Sequence, residues 1–368
     1  MTDTHLYEHD EGESKYHFDH LGCDEKTLEL FASLAIPDSF LARIVRVDRG
    51  LPLASSRRGT GRVEPSNHLL KAGKRDAASR AAVGDWVALV SPASHEMPII
   101  EAILPRHGTF TRKDPADIAN EQVVIANIDV VFLVQALSGS GVNVARLERE
   151  LVIAFESGAT PVIVLTKVDL IENDQALDGQ IALARSVSAG ARVIVESAVT
   201  HVGVDEVKDL IEPGMTAAMV GASGVGKSTL ANRLVGFEMQ ETGEVRMVDD
   251  KGRHTTVARE IVEIPNGGVL IDTPGMRSIA LWRGDRGLDL AFPEVAEAAA
   301  SCKFADCAHI NEPGCAVRGG VVAGTIAATR VERYLTLVNE LDDLARMRDE
   351  QSWNRKESRP ARKRSGRG

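Results

Sequence analysis

Eight consecutive residues, Gly221-Ala222-Ser223-Gly224-Val225-Gly226-Lys227-Ser228, carry the strongest chemical signal in the chain. Glycines at the first, fourth and sixth places let backbone N–H groups turn toward anionic oxygens, and the lysine adds a charge that reaches them. The apolar run 217–220 comes before the segment, and Leu230, Leu234 and Val235 follow it at helical spacing. A strand, a glycine-rich turn and a helix amino terminus are what phosphate binding needs, because the helix end supplies positive potential. Lys227 would reach the β- and γ-phosphates of a nucleotide, Ser228 would offer its hydroxyl to Mg²⁺, and Thr229 continues the same turn.

The base is read elsewhere. Thr166-Lys167-Val168-Asp169 directly follows the apolar run 161–165, where the end of a parallel strand faces a ligand crevice. A carboxylate there accepts from both guanine N1–H and the exocyclic amino group, whereas adenine would leave it unpaired. Asp169 is therefore the guanine reader, and Lys167 lies along the base. Glu196-Ser197-Ala198, after the run 192–195, forms a second loop whose backbone would contact the guanine carbonyl. Asp272-Thr273-Pro274-Gly275 follows a further apolar run, with Asp272 placed to hold Mg²⁺ through water and the Gly275 amide to sense the γ-phosphate. Upstream lies Arg253-His254-Thr255-Thr256, in which Thr256 would complete the Mg²⁺ shell and His254 is the candidate catalytic residue. Met276 occupies the place where many Ras-like enzymes carry a water-orienting glutamine, so slow hydrolysis by the isolated chain is expected.

The order of these pieces is informative. Ras-like GTPases run from phosphate loop through switch threonine and DxxG to the base-reading loops, but here the base-reading loops come first. A site assembled at the carboxyl ends of parallel strands survives such a cut and rejoining, so the pattern reads as a circularly permuted P-loop GTPase. An ATP-dependent enzyme is opposed by Asp169; a GTP-gated binding module, in which hydrolysis only times release, is the alternative reading.

A separate constellation, Cys302-x₄-Cys307-x-His309-x₅-Cys315, suits one tetrahedral Zn²⁺. Four protein ligands leave no open position, so the site would be structural. Cys23 stands apart as an incidental thiol.

These groups must be held by folded elements, and a chain of 368 residues allows two or three compact units. Hydrophobic residues make up 43%, enough for real cores. No apolar run approaches the roughly 18 residues of a membrane span, and the amino terminus has no signal-peptide core, so a cytoplasmic protein is expected. Residues 1–39 hold ten acids and two lysines and read as an acidic extension, largely disordered, with one helical pattern near 25–34. Residues 40–112 show short alternating apolar segments between Gly- and Pro-bearing turns, as in a small β-barrel of OB or SH3-like type. Residues 113–284 alternate buried strands with amphipathic helices, the signature of a parallel sheet covered on both faces. Residues 285–350 form a helical zinc-binding unit, and 351–368 a basic tail. The net charge is −10, yet residues 40–120 carry thirteen basic against eight acidic side chains, and Arg57, Arg58 and Arg62 could face a polyanion.

The barrel, the permuted order of motifs and the run Cys302-Lys303-Phe304-Ala305-Asp306-Cys307-Ala308-His309-Ile310-Asn311-Glu312-Pro313-Gly314-Cys315, followed by Arg333-Tyr334, resemble the ribosome small-subunit-dependent GTPase A family of bacteria. Val83-Gly84-Asp85-Trp86-Val87 and Leu104-Pro105-Arg106 resemble it too, and the likeness spans about 40–341. The resemblance implies an OB-type barrel that contacts ribosomal RNA together with the zinc unit. It also implies binding of GTP and GDP, a slow GTPase stimulated by the small subunit, and a role in late maturation of that subunit. A monomer is expected, with His254 as the water-positioning group. Thr166 departs from the family, which commonly has Asn there; a hydroxyl replaces only part of the amide's bonding, so weaker guanine affinity is expected.

Overall fold

The computed structural model describes residues 16–48, 51–114, 117–236, 259–265, 267–272 and 284–357. The chain enters through a 3₁₀ turn, Phe18–His20, and the helix α1 (Glu25–Ser33), whose N-cap Asp24 accepts from Thr27 N at 2.7 Å. Six strands follow: β1 (Phe40–Val47), β2 (Leu53–Ser56), β3 (Gly59–Arg62), β4 (Glu64–Pro65), β5 (Trp86–Val90) and β6 (Ile99–Ile103), with α2 (Asn67–Arg75) between the fourth and fifth. Alternate residues of β1 serve two cores. Phe40, Ala42 and Ile44 pack with Ala54, Val63, Val87, Leu89 and Ile100 in a small core of their own, while Leu41 and Val45 join the main one.

Residues 16–39 correct the expectation of a largely disordered extension. Leu21 and Tyr16 are buried, and the guanidinium of Arg43, itself buried, donates to Leu21 O, to Gly84 O at 3.2 Å and to Thr216 Oγ1 at 2.7 Å. The acidic composition concealed apolar anchors, and three acceptors from distant segments satisfy a cation that strand alternation places on the buried face with Leu41 and Val45. Residues 1–15 lie outside the described residues.

A hairpin, β7 (Thr109–Asp114) with β8 (Asp117–Ala126), runs across the division expected at residue 112. The α/β unit then comprises β9 (Val130–Ala136), α3 (Val144–Ser157), β10 (Thr160–Thr166), α4 (Asp174–Ser186), β11 (Arg192–Val195), α5 (Val204–Asp209), β12 (Thr216–Val220), α6 (Lys227–Val235), β13 (Arg259–Glu263) and β14 (Val269–Asp272). Strand order is β11-β10-β9-β12-β14, all parallel, followed by antiparallel β13. Side chains alternate across this sheet. Val131, Leu133, Ile163 and Ala218 meet Leu147 and Leu151 of α3 on one face; Val130, Phe132, Val164 and Met219 meet Val207 of α5 and Leu230 and Leu234 of α6 on the other. Helices on both faces explain why these strands are apolar throughout. At Arg46 and Val47, β1 pairs with β13, so the amino-terminal strands and the parallel strands belong to one continuous mixed sheet.

The remaining helices are α7 (Asp285–Ala291), α8 (Pro293–Ala299), α9 (Ala316–Ala323) and α10 (Ala328–Glu357). Gly287 lies against α3, where an added Cβ would meet Val152 O at 2.3 Å, and its N–H donates to Glu156 at 2.8 Å. From α10, Arg330 reaches Glu148 of α3 at 2.6 Å and Glu294 of α8 at 2.5 Å. No glycine or proline interrupts 328–357, so α10 continues past the expected start of the basic tail at 351. Residues 358–368 lie outside the described residues.

Candidate functional site

The parallel strands end on one edge of the sheet, and the loops leaving β10, β11 and β12 meet there. The loop after β12 turns on glycines. Gly221 has φ +155°, and a Cβ on it would sit 2.4 Å from Val134 O, so no other residue fits against β9. Gly226, at φ +102°, starts α6, placing Lys227, Ser228 and Thr229 in its first turn. The Lys227 ammonium donates to Gly221 O at 2.9 Å and Ala222 O at 2.6 Å, at the mouth of the loop where phosphate oxygens would compete for it.

The base-reading loop touches the phosphate loop directly. Lys167 Nζ donates to Gly224 O at 2.7 Å, and Thr166 Oγ1 donates to Val225 O at 2.5 Å. Thr166 is buried, and its hydroxyl makes the cross-link between the two loops. Ser197 Oγ donates to Asp169 Oδ1 at 2.5 Å and accepts from Thr200 N at 3.1 Å, which fixes the carboxylate's orientation. Arg233 of α6 donates to Ala198 O at 3.1 Å and ties the third loop to the helix that begins at Lys227. Asp272 closes β14, its backbone paired with Glu260. His254, Thr256 and Gly275 lie outside the described residues.

Two carboxylic acids here carry a role that the motifs do not assign: Glu196, read above only for its backbone, and Glu150. Glu196 is buried beside Asp169, its Oε1 without a hydrogen-bond partner among the described residues, and burial followed by the Asp169 charge pushes its pKa up to about 7. Glu150, on the inner side of α3, accepts from Gln135 Nε2 at 2.7 Å, and burial raises it to about 7 against the opposing pull of that bond and of Arg146 and Lys227. Their signal was a glutamate directly before the Ser197-Ala198 pair and another three places after Leu147 on the apolar stripe of α3.

Starting thirty residues downstream of Asp272, Cys302, Cys307, His309 and Cys315 hold their donor atoms within 4.8 Å of one another. Cys302 Sγ and Cys315 Sγ are 3.9 Å apart, and each lies 3.6 and 3.5 Å, respectively, from His309 Nδ1. Tetrahedral zinc, with bonds of about 2.3 Å to sulfur and about 2.0 Å to nitrogen, has edges of about 3.8 Å and about 3.5 Å, so these residues fit the ion. Ala316 N and Arg318 N donate to Cys302 Sγ at 3.3 Å and Cys315 Sγ at 3.5 Å, bonds that favour thiolates. Burial lowers the His309 pKa and keeps the ring neutral, as ligation requires.

The basic segment divides in two. Arg43, Arg62 and Arg106 are committed internally, Arg62 to Asp48 at 2.8 Å and Arg106 to the buried Asp85 at 2.6 Å. Arg57 and Arg58 are exposed, their guanidinium groups over the rings of Phe18 and Phe40.

Residues 103–282 match the RsgA GTPase family model. A Streptomyces coelicolor protein named small ribosomal subunit biogenesis GTPase RsgA is 36% identical over 340 residues, covering 92% of this chain and 89% of its own. The chain belongs to the RsgA GTPase family. A Methanosarcina acetivorans member with the same name is 44% identical across 70% of this chain and 69% of its own. Among solved structures, YjeQ from Thermotoga maritima aligns with a TM-score of 0.62 at 25% identity, over 82% of this chain and 98% of that one. YloQ, described as a circularly permuted GTPase, aligns at 0.58 and 23% identity over 83% and 96%, which supports the fold. The description of that neighbour agrees with the motif order read in this chain, and no helix among the described residues is long and apolar enough to cross a membrane.

Proposed function

We propose that this RsgA-family GTPase acts in maturation of the small ribosomal subunit, binding the particle through its RNA and hydrolysing GTP in response. The observation that carries the nucleotide reading is the direct bonding of the Thr166–Asp169 loop to the phosphate loop, which supports one crevice shared by Asp169 and Lys227. Asp169 would accept from guanine N1–H and its amino group, Lys167 would cover the base, and Ser197 and Ala198 would bound its carbonyl edge. Lys227 and the amides of 221–228 would hold the phosphates. Mg²⁺, held by Ser228, Thr256 and, through water, Asp272, would neutralise charge on the β- and γ-phosphates. His254 orients the attacking water, since the Met276 thioether has no group for that bond, and the Gly275 amide reads the γ-phosphate.

The name carried by the relatives supports the assignment of the particle. Zn²⁺ in the Cys302, Cys307, His309 and Cys315 cluster would be structural, and the β1–β6 unit, with its separate core, is read as the OB-type barrel. Arg57 and Arg58 on that unit would meet RNA phosphates, so affinity should fall steeply with salt. Multiple-turnover GTP hydrolysis with and without purified small subunits tests the reading. Slow turnover alone, stimulation by the particle and loss of stimulation in His254→Ala are expected; fast unstimulated turnover would defeat it. Asp169→Asn should shift preference from guanosine to xanthosine nucleotides, and unchanged guanine preference would refute the base reader.

A further inference from the structure

Four of the chain's ten histidines fall in its first twenty residues, and the nucleotide chemistry uses none of them. Two of these, His17 just before the 3₁₀ turn ahead of α1 and His20 at its end, aim at one target. Their Nδ1 atoms lie 3.1 and 3.0 Å from the same oxygen, Oε2 of Glu263, the last residue of β13. The second carboxylate oxygen, Oε1, accepts the backbone N–H of His17 at 2.5 Å, which fixes the rotation of the carboxylate and leaves Oε2 toward the rings. The three donor atoms lie within 4.8 Å of one another.

We propose that His17, His20 and Glu263 form a second metal site, for a borderline divalent cation such as Zn²⁺, Ni²⁺ or Co²⁺, joining the amino-terminal segment to β13. Two imidazoles and one carboxylate favour these ions over Mg²⁺ or Ca²⁺, which prefer all-oxygen shells. Adjacent positions on an octahedral ion with bonds of about 2.1 Å are about 3.0 Å apart, which matches the nitrogen–oxygen spacings here. The imidazole side chains are 67% and 54% exposed, while Glu263 is 16% exposed. The remaining coordination positions therefore open to water, making the site exchangeable, unlike the closed cysteine cluster. The ligands are preplaced without an ion, because Tyr16 donates to Glu260, Leu21 is buried and Arg43 caps its carbonyl. The backbone bond to Oε1 is the outer-shell contact that orients a metal-binding carboxylate. Since β13 pairs with β14 from Glu260↔Asp272 to Glu263↔Val269, the ion would link the amino-terminal segment to the strand that carries Asp272.

The rival is a metal-free cluster in which both rings donate Nδ1–H to one oxygen. Full-length protein with its cysteine cluster loaded with zinc should be titrated with Co²⁺ and Ni²⁺ by calorimetry, alongside His17→Ala/His20→Ala and Glu263→Gln. Since both rings are more than half exposed, these variants are expected to fold, and far-UV circular dichroism checks it. One added equivalent should bind the unaltered chain and bind at least tenfold more weakly in either variant. Its Co²⁺ form should absorb weakly in the visible, without the intense thiolate charge-transfer bands of the cysteine cluster. Absence of the added equivalent in the unaltered chain overturns the proposal. So does an equivalent unchanged in the double variant, which would place it on other histidines.

Discussion

Glu148 offers the sharpest test of how the carboxyl-terminal helices are held to the GTPase sheet. This glutamate of α3 is sealed from solvent; one oxygen accepts from Arg330 Nη1 at 2.6 Å and the other from Arg333 Nε. Arg330 is itself buried, stacked 4.1 Å from the Phe292 ring centroid, and also bonded to Glu294 and to Ala291 O, both at 2.5 Å. Glu148→Ala strands the Arg330 charge with only the half-covered Glu294 for compensation, and removing one member of a buried pair costs about 3–5 kcal/mol. At about 1.3 °C per kcal/mol for a chain of 368 residues, Tm should fall by roughly 4–7 °C. The matched control is Glu340→Ala, which breaks the pair with Arg149, about one-third exposed on both sides, and should cost about 0–1 kcal/mol. Replacing both buried partners, Glu148→Leu with Arg330→Met, should recover most of the loss, because apolar packing substitutes for a buried pair. Urea and thermal unfolding followed by circular dichroism on zinc-loaded protein measure all three. If Glu148→Ala cost no more than Glu340→Ala, the buried network would not be what holds α10 to α3.

Two further outcomes follow from the site. Glu196 ionises near its ordinary 4.5 in the unfolded chain but keeps its proton to about 7 when folded, so its contribution to stability is full below pH 4.5, declines as pH rises toward 7 and is flat above. Glu196→Gln should therefore be more stable than the unaltered protein at pH 8 and show a smaller fall in stability between pH 4.5 and 7; identical pH profiles would refute the buried, proton-bearing acid. Cys315→Ser should lose the thiolate-bound zinc equivalent while keeping helix α9, because a serine hydroxyl can take over the N-cap bond to Arg318 N. Metal content measured after gel filtration decides it, and full retention of zinc would count against the cluster as a zinc site.

The features legible in the sequence were those whose chemistry compels rare residues into short windows. Residues 221–228 and the cysteine cluster are of this kind, and Asp169 became readable from its place after an apolar strand. Contacts between windows were not readable: Thr166 to Val225 and Lys167 to Gly224 span 59 and 57 residues and depend on how β10 and β12 flank β9. An amphipathic pattern within 113–284 gives no sign of Glu148 and Glu150 as buried acids, because an acid on the inner side of a helix is acceptable only when distant partners arrive, here Arg330, Arg333 and Gln135. The acid-rich first segment misled for the opposite reason. Composition averages over residues, whereas docking rests on the buried Tyr16 and Leu21 with Phe18, Leu30, Phe31 and Leu34 packed beside them. The end of α10 was placed early because its apolar stripe fades, yet Arg, Glu and Gln sustain a helix by propensity.

The pairing of Arg46 and Val47 with Glu260 and Arg259 has a bearing on ancestry and on engineering. A chimera that imports the first six strands from a relative must bring a compatible partner for β13, or it leaves a bare strand rim beside the catalytic half. Sequence drift on either side of that seam is therefore expected to be correlated, and a cut at residue 112 separates the chain on paper but not in its hydrogen bonding.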